Sequence, residues 1–319
     1  MSNPNRLNLV LVLIVSALAV FLLWLGSAAE SWLAIAMVGV AFSFVMLTNY
    51  ALLHEATHNR LHDNSKANYA LGVLSGVWFP VPFTMIHVTH QGHHLRNRTD
   101  HEMFDLYYPT DNRLVRYVQW YGILCGFFWP FVPLGGLIAA ISPALLRTRP
   151  FRAARSSNYL LGDVAAANVW RIRGEVALTV AMFTTLFWTF ELKWLNTLVL
   201  YGCFSVNWST RQYVGHAFTR RDIVEGAWNL RHNRLMSWIL LHGEYDLNHH
   251  RRPDVSWLHL PKLTRPDDER PSYVRQYWRQ WLGPRPATEP PPEAVGPLPL
   301  AAHSLPLADG PSAEPPGGR

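Results

Sequence analysis

Three runs of the sequence place imidazoles at short, regular intervals. HEATHNRLH carries His54, His58 and His62. HVTHQGHH carries His87, His90, His93 and His94. HGEYDLNHH carries His242, His249 and His250. Steps of three or four put such side chains on one face of a helix. Ten of the fifteen histidines fall in these runs, and His216 stands apart in NWSTRQYVGHAF. Neutral imidazole is the commonest protein metal ligand. A donor set of this size exceeds the four positions of a zinc ion and suits two metals side by side. Imidazole can serve Zn, Cu, Fe or Ni. Iron is the expectation here, because the runs lie beside a membrane, where O2 and lipid are both concentrated. HEATH alone also matches HExxH with Glu55 in the base position, so a zinc protease stays open. That reading leaves the other two runs unexplained. His62, His87, His101, His232, His242 and His259 are read as supporting or surface groups.

The elements that must position these runs are apolar. Residues 7–29 carry no charge and can cross a bilayer core of ~30 Å as a helix. A second apolar block, 31–53, follows at once, which argues against a signal peptide. The two read as a hairpin turning at Ser27–Ser31. Residues 174–190 and 194–210 form another pair, turning at Glu191–Lys193. Residues 69–86 are apolar but short and broken by Pro80 and Pro82, as expected of an interfacial helix. Residues 117–146 are interrupted by Pro130, Pro133, Gly135 and Gly136, which predicts a bent hairpin or a membrane-surface segment. The fold class expected is an all-α integral membrane protein. It has two transmembrane hairpins, about four spans, with interfacial helices and a cytoplasmic helical cap holding the metal site. Residues 1–283 make the membrane domain, and the Pro/Ala/Gly-rich stretch 284–319 reads as a disordered tail.

Of the 319 residues, 49% are apolar and only 16% charged. That is below the roughly 25% charged of soluble domains and fits lipid exposure. The net charge of +6 does not form a groove-lining stripe, so nucleic-acid binding is not expected. The arginines cluster in 59–116, in 147–173 and after 210, whereas the two hairpin turns offer only Lys193. The positive-inside rule then places both termini and every histidine run in the cytoplasm, in a membrane expected to be the bacterial inner membrane. Cys125 and Cys203 lie singly in apolar blocks and suggest no zinc ribbon, iron–sulfur cluster or disulfide.

His54-x-x-x-His58, His90-x-x-His93-His94 and His249-His250, in this order after apolar pairs, resemble the histidine boxes of the membrane fatty acid desaturase-like superfamily. His216 matches the extra histidine between the last span and the third box. HHRRPDVSWLHLP also resembles the third box and the turn after it. The resemblance covers about residues 30–262. It implies a non-haem di-iron centre, O2 as oxidant and electrons from a separate donor of ferredoxin, rubredoxin or cytochrome type. The substrate it implies is a lipid or acyl chain that loses hydrogen from an unactivated C–H bond. The metal ligands carried over are His54, His58, His90, His93, His94, His216, His249 and His250. One position departs from the pattern. The third box normally opens with His or Gln, and here Asp246 stands there. Asp246 is a candidate ligand or an orienting group, and His242, one turn earlier, could supply the missing imidazole. Glu55 and Asn248 are candidates to support the ligands from behind, with Asn207, Asp100 and Asp105 as weaker ones. Trp78, Phe79, Trp120 and Trp208 are candidates for a substrate channel.

The function expected is desaturation of an acyl or lipid chain. A lipid, alkane or carotenoid hydroxylase or ketolase is the alternative on the same scaffold. A membrane metal transporter is a further alternative, but its ligands should lie near the bilayer midplane on broken helices. Here the runs lie beyond the span ends.

Overall fold

A computed structural model describes residues 2–148, 158–293, 296 and 298. Among the described residues the regular structure is helical apart from two short strands. Helices α1 (Asn5–Ala28) and α2 (Trp32–Thr57) form the first hairpin, followed by α3 (Ser65–Trp78) and α4 (Phe83–Arg96). Then come the two-residue strand β1 (Leu106–Tyr107), α5 (Arg113–Leu124), α6 (Phe131–Ile141) and a 3-10 turn at Pro143–Arg147. Next are α7 (Asn158–Ala166) and the hairpin of α8 (Val169–Thr189) and α9 (Trp194–Gln212). The last part holds the short helices α10 (Arg234–Ile239) and α11 (Asp246–Arg251), a 3-10 turn at Trp257–Leu263, α12 (Tyr273–Gln280) and β2 (Arg285–Pro286).

By length and composition α1 and α2 can each cross a membrane, and α3 with α4 gives a third span if that pair, bent by 98°, is one broken span. The sequence predicts four spans. The second hairpin is present as α8 and α9. Arg171, Arg173 and Glu175 interrupt α8, and Asn196, Asn207 and Arg211 interrupt α9, so neither reads as a span on composition. The break at Pro80 and Pro82 falls between α3 and α4 as the prolines dictate, and the 117–146 block divides into α5 and α6 at Gly126, whose φ is +91°, and Pro130, whereas Pro133, Gly135 and Gly136 lie within α6.

The core is apolar and aromatic, running from Val12 and Leu23 on α1 through Phe42 and Met46 on α2 to Leu200 and Phe204 on α9. At Gly39 on α2 an added Cβ would come within 2.8 Å of Cys203 Sγ on α9, so only a glycine lets these helices approach so closely. Polar ties cross the helix layer at defined points. Asn49 Nδ2 donates to Ser75 O at 2.8 Å, and Asn196 Nδ2 donates to Gly26 O at 2.8 Å, which fixes one hairpin turn against the other.

Part of the Pro-rich stretch is seated on the body. β2 pairs in parallel with β1, and Glu289 accepts the Arg221 N–H at 2.8 Å. The remainder of that stretch, apart from 296 and 298, lies outside the described residues, as do Arg149, Arg152 and Arg155 of the basic segment 147–173.

Candidate metal centre

The histidines gather where the site-side ends of α2 and α4 meet α11 and the turn after α9. Four-residue spacing puts His54 and His58 on one face of the last turn of α2. His90, His93 and His94 share a face of α4 by the same periodicity, and Asp246, His249 and His250 share one of α11. His216 lies in the turn beyond α9.

Two donor groups result. In the first, one ring nitrogen from each of His54, His58, His90 and His249 lies within 4.8 Å of the others. In the second, His93, His216 and His250 meet the same measure. His94 stands between the groups. Its Nε2 is 3.1 Å from His90 Nε2 and 3.0 Å from His249 Nε2, and its ring centroid is 4.5 Å from that of His250. His58 Nε2 and His90 Nε2 face each other at 2.7 Å. Asp246 belongs with the second group, its Oδ2 3.1 Å from His216 Nε2 and its Oδ1 4.0 Å from His250 Nε2.

The electrostatics suit a cation. Burial pushes His216 down to about 3, with the nearby His93 adding to it. Burial first and neighbouring imidazoles second hold His58, His249 and His250 well below the ordinary imidazole value. These rings are therefore neutral, the form that ligates. Burial pushes Asp246 up to about 7, opposed by His93, and a bound cation would return it to carboxylate. Converging nitrogen lone pairs repel one another unless a proton or a metal ion stands between them. The donor chemistry fits borderline metals such as iron or zinc.

The supporting groups divide in two. His216 Nδ1 faces Gly226 O at 3.2 Å, which turns Nε2 toward the second group. Glu102, at the end of the 99–102 turn, lies with Oε2 3.6 Å from His93 Nδ1. Sequence reasoning passed over Glu102, although it sits in the polar run TDHEMFD. Gly226 leaves no side-chain signal at all. Gly215 is a further silent partner: an added Cβ there would collide with the Asp246 carboxylate.

The other expected residues are placed as follows. Glu55 Oε2 accepts the Trp257 N–H at 3.0 Å, and Oε1 lies 4.0 Å from His54 Nδ1, so it holds the turn after the third box more closely than a histidine. Asn248 Nδ2 donates to Leu260 O and to Thr264 Oγ1, both at 2.9 Å, and Asn248 Oδ1 accepts from Asn229 at 2.9 Å. That knot fixes α11 and with it His249 and His250. Asn207 donates to Ser43 at 2.9 Å and touches no histidine of the groups. Asp105 accepts from Arg98 at 2.6 Å and Asp100 from Arg221 at 2.7 Å, so both organise the loop after the second box. His242 belongs to neither group; its ring lies 5.8 Å from that of Trp257. His62, His87, His101, His232 and His259 are likewise outside both groups.

An apolar cleft of about 570 Å³ opens between the 125–130 turn, α8 and α9, lined by Pro80, Trp129, Phe183, Phe187, Tyr201 and Val206, among others. Trp78, Phe79, Trp120 and Trp208 are buried in the core and do not line it. Phe79 instead belongs to a chain of rings that runs from the cleft to the histidines. Its ring centroid is 6.4 Å from Trp129, 5.1 Å from Trp208 and 5.3 Å from Tyr50, and Tyr50 in turn lies 6.5 Å from His54.

No curated protein and no solved structure matches the chain significantly. The family model for fatty acid desaturases matches residues 30–281, which takes in every histidine of both groups. The chain therefore belongs to the fatty acid desaturase family.

Proposed function

We propose that the chain is a membrane-bound di-iron oxidoreductase that uses O2 and electrons from a separate carrier to desaturate an acyl or lipid chain. The observation that carries this reading is the pair of donor groups with His94 between them. His54, His58, His90 and His249 would hold one iron, and His93, His216, His250 and Asp246 the other. When bound, the iron pair supplies O2 activation and removal of hydrogen from an unactivated C–H bond.

The chain's own residues do the rest. Gly226 O and Glu102 orient His216 and His93. Tyr50, Phe79 and Trp208 make a dry wall on the membrane side of His54. The apolar cleft beyond that wall offers room for a hydrocarbon chain. Four spans remain our reading of the architecture. In its support, α8 and α9 expose Trp188 (87%), Trp194 (70%) and Leu198 (64%), a surface that water would penalise and lipid accepts. The arginine-rich segments put the histidines and both termini on the cytoplasmic side of what we take to be a bacterial inner membrane. They would also steer an acidic ferredoxin, rubredoxin or cytochrome-type donor.

Hydroxylation is the second reading, because the departure at Asp246 weakens the match to the desaturase pattern. Asp246 brings a carboxylate to one donor group only, so the two metals would differ in charge. The test is product analysis by mass spectrometry, with the purified protein, O2, a reductant and its carrier, and lipid extracts as substrate. Acyl chains lighter by a hydrogen pair support desaturation. Chains heavier by one oxygen favour the second reading. Oxygen-independent products, or peptide cleavage, contradict both.

A further inference from the structure

Glu175 on α8 is a carboxylate only 4% exposed, at the start of an apolar stretch. An acid in that setting is costly unless its oxygens are satisfied. Here Oε1 accepts from Tyr69 OH on α3 at 2.8 Å and from Thr84 Oγ1 at 2.7 Å, and Oε2 accepts from the Thr84 backbone N–H at 2.9 Å. Thr84 is the second residue of α4, and its N–H is one of those a helix cannot pair internally. The residue at the usual capping position is Pro82, whose side chain accepts nothing. Glu175 thus supplies from another helix what an Asp or Ser would supply locally, with its acceptor oxygens at the positive end of the α4 dipole.

The consequence reaches the metal centre through α4. This helix leaves α3 at a 98° bend and carries His90 of the first group, His93 of the second, and His94 between them. Any slide of α4 along its axis moves donors of both groups together, and one turn is about 5.4 Å. We propose that Glu175 is a positioning residue for the metal centre, which caps α4 from α8 and so fixes the axial placement of the second histidine run. This rests on the di-iron reading above.

The test uses the full chain in detergent. Metal per chain is measured by elemental mass spectrometry, and the rate of metal loss to a chelator is followed. Size-exclusion chromatography checks the fold of each variant. Glu175→Gln keeps an acceptor for the Thr84 N–H and should retain metal like the wild type. Tyr69→Phe removes only the α3 contact and should do the same. Glu175→Leu removes the cap and should lose metal roughly ten- to a hundredfold faster. Adding Pro82→Ser, which restores a local cap, should slow that loss again.

Wild-type retention in Glu175→Leu overturns the proposal, as does equally fast loss in Tyr69→Phe. Should Glu175→Leu fail to fold, the double variant decides: folding with bound metal supports the cap, and failure overturns it. The iron reading is judged separately, on the wild type alone. If the wild type holds a different metal, the cap is judged on that metal, and a wild type that binds none overturns both.

Discussion

Asp246 Oδ2 lies 3.1 Å from His216 Nε2, so the position that departs from the histidine pattern still points into the donor group. We predict that Asp246→Ala lowers metal affinity by roughly tenfold or more, as loss of a ligand or of its close partner does. Asp246→His should keep the metal and shift the redox midpoint upward, because a neutral donor replaces an anionic one. Competition with a chelator and a spectroelectrochemical titration would measure the two effects. Unchanged affinity in Asp246→Ala would remove this residue from the centre.

Glu102 should matter chiefly through His93, which it approaches to 3.6 Å. Glu102→Ala leaves the imidazole without its carboxylate partner and should weaken metal binding by roughly ten- to a hundredfold. Glu102→Gln should recover part of this. The comparison is made by metal content after dialysis at fixed chelator concentration.

Asn248 ties α11 to the 257–264 turn through buried hydrogen bonds. Asn248→Ala takes the side-chain donor from the Leu260 carbonyl and from Thr264 Oγ1, while Asn229 Nδ2 keeps Asp268 Oδ2 at 3.2 Å. Each orphaned buried group costs about 1–3 kcal/mol. The metal-free protein should therefore unfold at a lower temperature, read by intrinsic fluorescence in detergent. A melting temperature within error of wild type would contradict the knot's role.

The pH response of the metal-free protein has a definite sign. His216 falls from its ordinary 6.5 to about 3 on folding, so below 6.5 the unfolded chain binds the extra proton. Stability from this group is complete above 6.5 and is lost as pH falls toward about 3. His58, His249 and His250 act in the same direction. Asp246 opposes them: raised from 3.8 to about 7, it stabilises below 3.8 and loses that contribution as pH rises through 7. The depressed histidines outnumber the raised acids, so the melting temperature should fall between pH 6.5 and 5. Asp246→Asn removes an opposing group and should make that fall steeper. Thermal melts across this range in both proteins check the order of the slopes.

The candidate donors in the three runs are legible in the sequence because each run obeys helical spacing, which needs only local geometry, whereas His216 lies outside the runs and is marked by the resemblance. His54 with His58, and His90 with His94, are cases in point. The break between α3 and α4 was legible from Pro80 and Pro82 for the same reason. Contacts between distant segments were not. Glu102 reaches His93 by a turn in the chain, Gly226 acts through its backbone carbonyl, and Glu175 meets Thr84 from a residue 91 positions away. The polar residues of α8 and α9 make packing ties that composition does not show, as Asn196 does to Gly26 and Asn207 to Ser43. His242 looked like a replacement imidazole by spacing from Asp246, yet it packs on Trp257 because residues 241 and 242 both adopt positive φ.

The central claim is that one chain holds a pair of iron ions in the two histidine groups. Elemental mass spectrometry of detergent-purified protein, beside His94→Ala, tests it most directly. The account predicts about two iron ions per chain, sharply reduced in the variant, because His94 stands against both groups. A single zinc ion with no iron, unaffected by the loss of His94, would contradict it.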